Sequence, residues 1–330
     1  MTERIQPPSF EESVRKRPFM YIGNERIEGL ITGLIIDCIE LCKTDEITFE
    51  IIISDENNFI LGIKTEQDLN PFWQSFSINN QDFNYYLSKV LKIISSKFEI
   101  KTINKIKFEI HFSLDKEIIP NPTIDYLKLT EKVLQIAFLN RQCEIITIDQ
   151  RQKFINQNYY HFPQGIFYLF DRVRTEVLGK PEFILTFDNV VNNKFYQIGI
   201  AYRTDWFPKP YIMSFANDVH TVCNGSLVEG VLDGLVNACK IYIKENNLTS
   251  FKVSRKKLLH ELILICAVRG ENFKYGGSWK ETLEDDAVKK EVKKLVSKLA
   301  LDFFKSQKEK VDKFFMRFDQ SQFPRCTSLN

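Results

Sequence analysis

The chain has 330 residues, of which 44% are hydrophobic, so it can bury a core in two domains or in one large one. Its 45 Lys and Arg residues nearly balance its 43 Asp and Glu residues, and whole-molecule charge therefore gives no general attraction for a polyanion. A charged, Pro-containing N-terminus and no long uncharged apolar run predict neither a signal peptide nor a membrane span. Seven scattered cysteines without a C-x-x-C pair are typical of reduced thiols, and we expect a cytoplasmic protein.

Hydrophobic periodicity predicts a mixed first half. The predicted helices cover residues 27–42, 87–94 and 127–138, and the predicted strands cover 48–53, 59–63, 98–100, 106–112 and 143–148. Another helix is expected to start within 164–169. The Gly179, Lys180 and Pro181 turn is the best linker in the sequence, and we place a domain boundary near residue 175.

The second half is predicted to open with a hairpin of strands at 182–187 and 195–202. A loop at 214–230 then leads into a helix that ends near residue 245, followed by a short helix at 255–259 and a strand at 262–268. One long amphipathic helix is predicted over 286–315, with valines, leucines and a phenylalanine on one face and lysines elsewhere. Residues 318–330 are expected to form a loose tail.

Five motifs occur in an order that resembles a known family. Residues 14–23, VRKRPFMYIG, match VRKRPGMYIG at nine of ten positions, and residues 137–140 (AFLN) and 161–166 (HFPQGI) resemble SFLN and YEGGI. Residues 214–230, SFANDVHTVCNGSLVEG, are similar to SFVNNINTxxGGTHxxG, and residues 275–283, YGGSWKETL, to FxGQTKxxL with Lys280 at the lysine. All belong to the B subunits of type IIA DNA topoisomerases, the gyrase B and topoisomerase IV B family.

The resemblance extends over residues 9–315 and implies an α+β fold with two domains. Residues 1–175 would form a GHKL-like α/β sandwich, the family's ATPase domain. Residues 176–317 would form a transducer domain with a ribosomal S5-like fold, whose left-handed βαβ unit is an exception to the usual handedness. Since the chain ends there, we expect neither the metal-binding TOPRIM region nor the DNA-cleaving domain of the family.

The resemblance also shows what the ATPase chemistry would lack. In the family, a Glu in an E-x-x-x-N helix polarises the attacking water and the Asn holds Mg²⁺ on the phosphates. The matching helix here reads GLITGLIIDCIELCK. One register places Ile36 at the Glu and Glu40 at the Asn, whereas the other places Gly33 and Asp37 there. Neither register restores the pair.

The glycines that would contact the nucleotide are also missing. The family's D-G-x-G turn corresponds to FILGIKTEQD, with a single Gly62, and its glycine-rich phosphate cradle to the aromatic, glycine-free residues 67–87, including Phe83, Tyr85 and Tyr86. Phe19 replaces a family glycine and is expected to help fill the old pocket. Of the nucleotide-contacting residues, Lys280 alone is retained, and a lone lysine in a loop is usually just a solvated charge.

Two basic groups are candidates for DNA contact, each with a simpler structural explanation. Arg15, Lys16 and Arg17 either meet phosphates or cap the first helix. The lysines of the last long helix either form a solvated face or meet DNA with a strong salt dependence; they are Lys289, Lys290, Lys293, Lys294 and Lys298.

Other candidate residues are expected to have structural roles. Cys38 and Cys42 are expected to be buried apolar residues, and His220 is expected to be structural. Asp285 and Asp286 are expected to stabilise the positive end of the last long helix. No metal site is expected.

We therefore expect a pseudo-ATPase scaffold, without cofactor, that engages DNA or a partner protein from another gene. That partner would contain a TOPRIM or nuclease domain or be a gyrase-like subunit. By analogy, the two proteins would work in a topoisomerase-like system, in a mobile element or in antiphage (antiviral) defense. In a first alternative the protein still binds ATP and Mg²⁺, with Asp37 or Glu40 as substitute base and Lys280 on the γ-phosphate. In a second, it imitates and binds host gyrase or topoisomerase IV subunits. Homodimer formation is a further expectation.

Overall fold

A computed structural model describes residues 8–23, 26–42, 46–76, 86–176, 183–202, 209–248, 250–316 and 318. The chain divides into two compact units, Met1–Gln164 and Gly165–Asn330. Each unit contains its own sheet and its own buried cluster of apolar side chains. The α+β class predicted from the sequence is therefore confirmed.

The first unit contains six helices within the described ranges. They are α1 (Phe10–Lys16), α2 (Pro18–Ile22), α3 (Arg26–Cys42), α4 (Asn70–Ser75), α5 (Tyr86–Ile94) and α6 (Tyr126–Leu139). Three of them, α3, α5 and α6, have bounds that agree closely with the helices predicted at 27–42, 87–94 and 127–138. Ser9 begins α1 with a reciprocal capping box to Glu12. Asp125 begins α6 by accepting the backbone N–H groups of Leu127 and Lys128.

The strands of the first unit form one six-stranded sheet. They are β1 (Ile47–Ile53), β2 (Phe59–Lys64), β3 (Ser95–Thr102), β4 (Lys107–Leu114), β5 (Cys143–Asp149) and β6 (Asn156–Tyr160), in the order β3-β4-β2-β1-β5-β6. Only β1 and β5 pair in parallel, with Ile47 opposite Cys143. Alternate residues of β1 are buried in the same cluster as α3, α5 and α6, so the helices cover one face of the sheet.

The second unit begins with α7 (Phe167–Glu176), followed by β7 (Phe183–Val191), β8 (Lys194–Tyr202), β9 (Tyr211–Ala216) and β10 (Val219–His220). Then come α8 (Ser226–Glu245), α9 (Arg255–Leu259), β11 (Leu262–Arg269), a small hairpin of β12 (Tyr275–Gly276) and β13 (Thr282–Leu283), α10 (Asp286–Ser306) and α11 (Lys308–Met316). The main sheet has the order β10-β9-β11-β8-β7. Its parallel pair, β9 and β11, is joined through α8, which is the βαβ arrangement that the family resemblance implies.

The observed boundary between the units differs from the predicted position near residue 175. Helix α7 belongs to the second unit because Phe170 packs on Gly199 of β8, where an added Cβ would lie 2.7 Å from the ring. The predicted linker at Gly179, Lys180 and Pro181 lies outside the described residues, as does the predicted tail apart from Phe318.

Two glycines set the distance between α8 and α10. A Cβ added at Gly230 would lie 2.7 Å from the carbonyl oxygen of Lys289, and one added at Gly234 would lie 2.8 Å from that of Lys293. Helix backbones can approach this closely only where side chains are absent. On another side of α10, Glu291 accepts hydrogen bonds from Lys194 Nζ at 3.1 Å and Tyr196 Oη at 2.6 Å, so this helix is fixed to the sheet as well.

The long helix predicted over 286–315 is two helices in the structure. Helix α10 ends at Ser306 and α11 begins at Lys308, with Gln307 between them outside helical geometry. The turn lets Phe314 stack on Phe183, with ring centroids 4.5 Å apart, and Phe315 stack on Tyr242 at 4.8 Å. Burial of these two rings explains the break, since a straight helix would carry them past the core.

Candidate functional site

The residues that correspond to the E-x-x-x-N pattern lie on α3, and in neither register are they the Glu and Asn pair of the family. Ile36, at the base position of the first register, is partly buried and packs against the apolar cluster of the first unit. Glu40, at the metal position, is exposed. An aliphatic side chain accepts no proton, so Ile36 cannot activate a water molecule.

In the second register the base position is Gly33, and Leu87 of α5 covers it. A Cβ added at Gly33 would lie 2.4 Å from Leu87 Cδ1, which is far inside van der Waals contact. Glycine carries no proton-accepting group, and the end of the Leu87 side chain covers position 33. Neither register therefore supplies a general base.

Asp37 carries a carboxyl group of α3 in an unusual environment. Burial raises the pKa of its carboxyl to about 7, and the nearby Glu40 carboxylate adds to the increase. Its Oδ2 atom is buried and has no hydrogen-bond partner within the described ranges. Tyr86, the first residue of α5, lies near Asp37. Burial raises the pKa of the Tyr86 hydroxyl, and the Asp37 carboxylate adds a smaller increase. Such a carboxyl exchanges a proton near neutral pH.

The segment that corresponds to the family's D-G-x-G turn comprises strand β2 and the loop after it. Gly62 faces away from the helices, since a Cβ added there would lie 3.3 Å from Glu50 Cβ on the outer face of the sheet. Beyond the strand, buried Thr65 Oγ1 lies 3.8 Å from Cys42 Sγ and accepts a hydrogen bond from the backbone N–H of Gln67 at 3.2 Å. These contacts close the loop on itself and on α3.

Five aromatic rings, which we call the α4 aromatic cluster, pack between α4 and strands β3 and β4; they are Phe72, Trp73, Phe76, Phe98 and Phe108. The Trp73 and Phe108 centroids lie 5.1 Å apart and those of Phe76 and Phe98 lie 5.3 Å apart. Phe72 and Phe76 are fully buried. The cluster begins at Phe72, within residues 67–87, which correspond to the family's lid and phosphate cradle, so apolar packing occupies this part of the chain.

The first turns of α5 are packed rather than open to a ligand. Ser88 is buried and its Oγ lies 2.5 Å from Ser75 Oγ of α4. Lys89 is only 2% exposed, which sequence reasoning misses because a lysine on a short helix is usually solvated. Residues 77–85, which include the predicted aromatic replacement of the phosphate cradle at Phe83 and Tyr85, lie outside the described residues.

Phe19 lies on α2 and is 45% exposed, and its expected part in filling the former nucleotide pocket stays a prediction. The neighbouring basic residues Arg15, Lys16 and Arg17 are all exposed. Arg15 and Lys16 lie in the last turn of α1, where positive charge is favourable, and Arg15 Nε lies 3.3 Å from Glu11 Oε1. The simpler explanation, a helix cap, accounts for their positions.

Residues retained from the 214–230 motif all support the backbone or the core. Ser214 Oγ lies 2.7 Å from Thr221 Oγ1, and Asn217, in a left-handed conformation, exchanges two 3.0 Å hydrogen bonds with the backbone of Gly270. Gly225 has φ 111°, and an added Cβ would lie 2.2 Å from the Leu283 carbonyl oxygen. These residues maintain the fold of the second unit whether or not a nucleotide binds.

Lys280 lies in the loop between β12 and β13. Its backbone is left-handed, with φ 58°, and its ammonium group lies 5.2 Å from the centre of the Tyr275 ring, a cation–π distance. The residue before it, Trp279, is exposed, and its backbone N–H donates a hydrogen bond to Glu281 Oε2 at 3.2 Å. The exposed ammonium is therefore oriented by an aromatic ring of its own loop.

The lysines of α10 fall into two groups. Lys289 pairs with Glu229 of α8, whereas Lys290, Lys293, Lys294 and Lys298 are exposed or partly exposed and, within the part of the chain described, form no ion pair. Lys290, Lys294 and Lys298 follow one another at intervals of four residues, about 6 Å along the helix axis. They form one basic stripe on the surface of the second unit.

The remaining predictions concern residues with structural roles. Cys38 and Cys42 are fully buried, as expected, and the described residues contain no cluster of His, Cys, Asp or Glu that could hold a metal ion. His220 stacks on Phe215 with centroids 5.0 Å apart, and burial lowers its pKa. Asp285 caps α10 through the N–H groups of Ala287 and Val288. No described helix combines the length and apolar character needed to cross a membrane.

Comparison with protein families supports the resemblance. The DNA gyrase B family model matches residues 168–325. The gyrase B protein of Streptococcus pneumoniae serotype 4 is 25% identical over 201 residues, which cover 59% of this chain and 30% of that protein. The gyrase B protein of Mycoplasma pneumoniae is 23% identical over 352 residues, covering 87% of this chain and 54% of that protein. The chain thus matches between about a third and about half of the length of these relatives.

Solved structures agree on the fold. The ATPase domain of Thermus thermophilus gyrase B superposes with a TM-score of 0.77 at 14% identity, covering 95% of this chain and 96% of that one. The ATP-binding domain of Francisella tularensis topoisomerase IV gives a TM-score of 0.74 at 17% identity, covering 94% and 97%. The expected GHKL-type fold is therefore confirmed.

Proposed function

We propose that this gyrase B-like chain is a pseudo-ATPase, a scaffold that has kept the shape of the motor region and lost its phosphate chemistry. The observation that carries this proposal is the contact between α3 and α5. Ile36 packs into the core and Leu87 covers Gly33, so neither register of α3 presents a base. The α4 aromatic cluster supports the same conclusion, because it places buried rings in the segment that corresponds to the family's lid.

The retained motifs are explained by folding rather than by catalysis. Ser214, Asn217, Thr221, Gly225 and Gly230 each make a backbone or side-chain contact inside the second unit. A chain that needs only the architecture would keep such residues and lose the others.

A test of this proposal is steady-state ATP hydrolysis in the presence of Mg²⁺, measured for the unmodified chain and for Lys280→Ala. We expect both proteins to give the rate of the buffer alone. Turnover by the unmodified chain that disappears in Lys280→Ala would contradict the proposal, because it would show a working γ-phosphate contact.

A second candidate function, residual nucleotide hydrolysis, is favoured by Asp37. Its carboxyl has a pKa of about 7 and an unpartnered oxygen among the described residues, which suits a general base at neutral pH. The two functions are separated by Asp37→Asn. Under the pseudo-ATPase proposal this variant changes stability and leaves the absence of turnover unchanged, whereas under the second it abolishes a measurable rate.

The scaffold would act by engaging DNA or a partner protein in the cytoplasm. The basic stripe of Lys290, Lys294 and Lys298 on α10 is the surface that best suits DNA phosphates, since its ammonium groups repeat along one line of the helix surface. A partner from another gene, with a TOPRIM or nuclease domain or a gyrase-like fold, would supply any chemistry on the DNA itself.

A further inference from the structure

The edge strand β6 of the first unit has unusual chemistry for its position. It is the last strand of the six-stranded sheet, and β5 is its one partner among the described strands. Its residues Asn156, Gln157, Asn158 and Tyr159 are all exposed. An antiparallel edge strand leaves half of its N–H and C=O groups directed outward, ready to pair with another strand.

The opposite edge of the same sheet is protected in the usual way. Strand β3 carries Lys97, Glu99 and Lys101, and its pairing with β4 has a register irregularity between Ser95 and Lys97. Charges and bulges of this kind prevent the pairing of edges. By contrast, residues 154–160 read FINQNYY and contain no charge, proline or glycine. The β3 edge is therefore protected against pairing with another strand, whereas the β6 edge, which we call the unguarded edge, is not.

Apolar side chains lie beside the unguarded edge. Phe154 is 79% exposed, Ile155 62% and Tyr159 59%. Leu127, which is 74% exposed, follows Tyr126 on α6, and the Tyr126 hydroxyl holds the strand by donating to the Asn156 carbonyl oxygen at 3.2 Å. Together with the outward backbone groups, these side chains form a surface that an added strand would cover.

We propose that two copies of this chain associate by antiparallel pairing of β6 with β6 about a two-fold axis at Asn158. A second copy fits this edge because the segment is self-complementary. Pairing about Asn158 places Gln157 opposite Tyr159, Asn156 opposite Tyr160, and Ile155 toward His161 of the other copy. It also brings the exposed Phe154 toward Phe162, which is partly buried against the core of its own unit.

The paired segment carries few charges. Between residues 153 and 163 the one lysine or arginine is Lys153, and the two-fold axis places it toward Pro163, whose carbonyl oxygen accepts a hydrogen bond from Arg141. Within the segment itself no two lysines or arginines lie opposite each other, which limits repulsion between the strands. Each copy contributes the same patch, as a two-fold interface requires. The contact is smaller than the roughly 1,200 Å² of a typical stable interface, so we expect dimer formation to depend on concentration.

Sedimentation velocity over a concentration series tests this pairing with the full chain. We expect a monomer–dimer equilibrium for the unmodified protein and a monomer for Gln157→Lys combined with Tyr159→Lys, since each added lysine would face another across the axis. The matched control, Thr102→Lys with Ile103→Lys, adds the same charge at the end of β3 and should still dimerise. Thermal unfolding of each variant verifies that it is folded.

A charge-complement experiment separates self-pairing from binding of some other peptide. Mixing the Gln157→Lys/Tyr159→Lys chain with a Gln157→Glu/Tyr159→Glu chain should restore dimers that neither forms alone. A protein that is monomeric at all concentrations, a dimer that persists in the lysine double variant, or a mixture that stays monomeric would each overturn the proposal. Amide exchange gives a second readout, because residues 156–160 should become more protected as concentration rises.

Discussion

Leu87 on α5 and Gly33 on α3 touch so closely that a Cβ at position 33 would lie 2.4 Å from Leu87 Cδ1. Position 33 is one of the two base positions, and it carries no proton-accepting side chain and is covered by the end of Leu87. The other position, Ile36, packs on the core.

The same contact predicts coupling between positions 33 and 87. Gly33→Ala gains about 1 kcal/mol of helix propensity, but in the unmodified chain the end of the Leu87 side chain must move away from the added methyl group. In a Leu87→Ala background the methyl group has space, so Gly33→Ala should stabilise the folded state more there than in the unmodified chain. Denaturant unfolding of the four proteins measures the coupling. An equal effect in both backgrounds would refute the contact.

Asp37 predicts a pH-dependent stability difference. Its folded pKa is raised from 3.8 to about 7, so the folded state holds a proton that the unfolded state releases. This group therefore costs stability progressively as pH rises from about 4 to about 7, and the cost is constant above that range. Asp37→Asn removes the cost, and its melting temperature relative to the unmodified protein should be higher at pH 8 than at pH 5. An equal difference at both pH values would contradict the raised pKa.

The basic stripe predicts salt-sensitive DNA binding. Lys290→Glu with Lys294→Glu should weaken binding of duplex DNA, as followed by fluorescence anisotropy, and should reduce the slope of log affinity against log salt by about two. Lys105→Glu with Lys116→Glu changes the charge equally on exposed residues of the first unit and should have little effect. If both pairs weaken binding alike, general charge rather than the stripe on α10 is responsible.

The close contact of Gly234 with α10 predicts that a larger side chain at this position destabilises the packing of α8 on α10. A methyl group there would meet the Lys293 carbonyl oxygen at 2.8 Å and Val296 Cβ at 2.7 Å, and a backbone atom cannot rotate away. We expect Gly234→Ala to lower the free energy of unfolding by about 1–3 kcal/mol. Lys240→Ala, on the exposed side of α8, should stay within about 0.5 kcal/mol of the unmodified chain. A stabilising Gly234→Ala would contradict the observed packing.

Elements whose pattern is set locally can be predicted from the sequence. The predicted bounds of helix α3 and strand β2 agree with the structure to within a residue, because alternating or helical apolar spacing records the face that is buried. Strand β6 is not predicted because an edge strand exposed along its length has no such alternation. The break at Gln307 is not predicted because neither glycine nor proline marks it, and its cause, the stacking of Phe314 on Phe183, joins residues far apart in the sequence.

The candidate site shows the same division. The loss of the E-x-x-x-N pair can be predicted from α3 alone, since only residue identities are needed. Which aromatic rings are buried cannot, because burial depends on contacts across elements. Phe72 and Phe76 are buried, whereas Phe19 is 45% exposed. The raised pKa of Asp37 likewise follows from burial against neighbours that no local pattern reveals.

Isothermal titration calorimetry with a non-hydrolysable ATP analogue and Mg²⁺ tests the central claim most directly. A molecule that has kept the architecture without the phosphate-binding groups should give no heat of binding and, at millimolar ligand, no increase in melting temperature. Saturable binding that stabilises the chain and is lost in Lys280→Ala would contradict the account, since it would show that the triphosphate is still held.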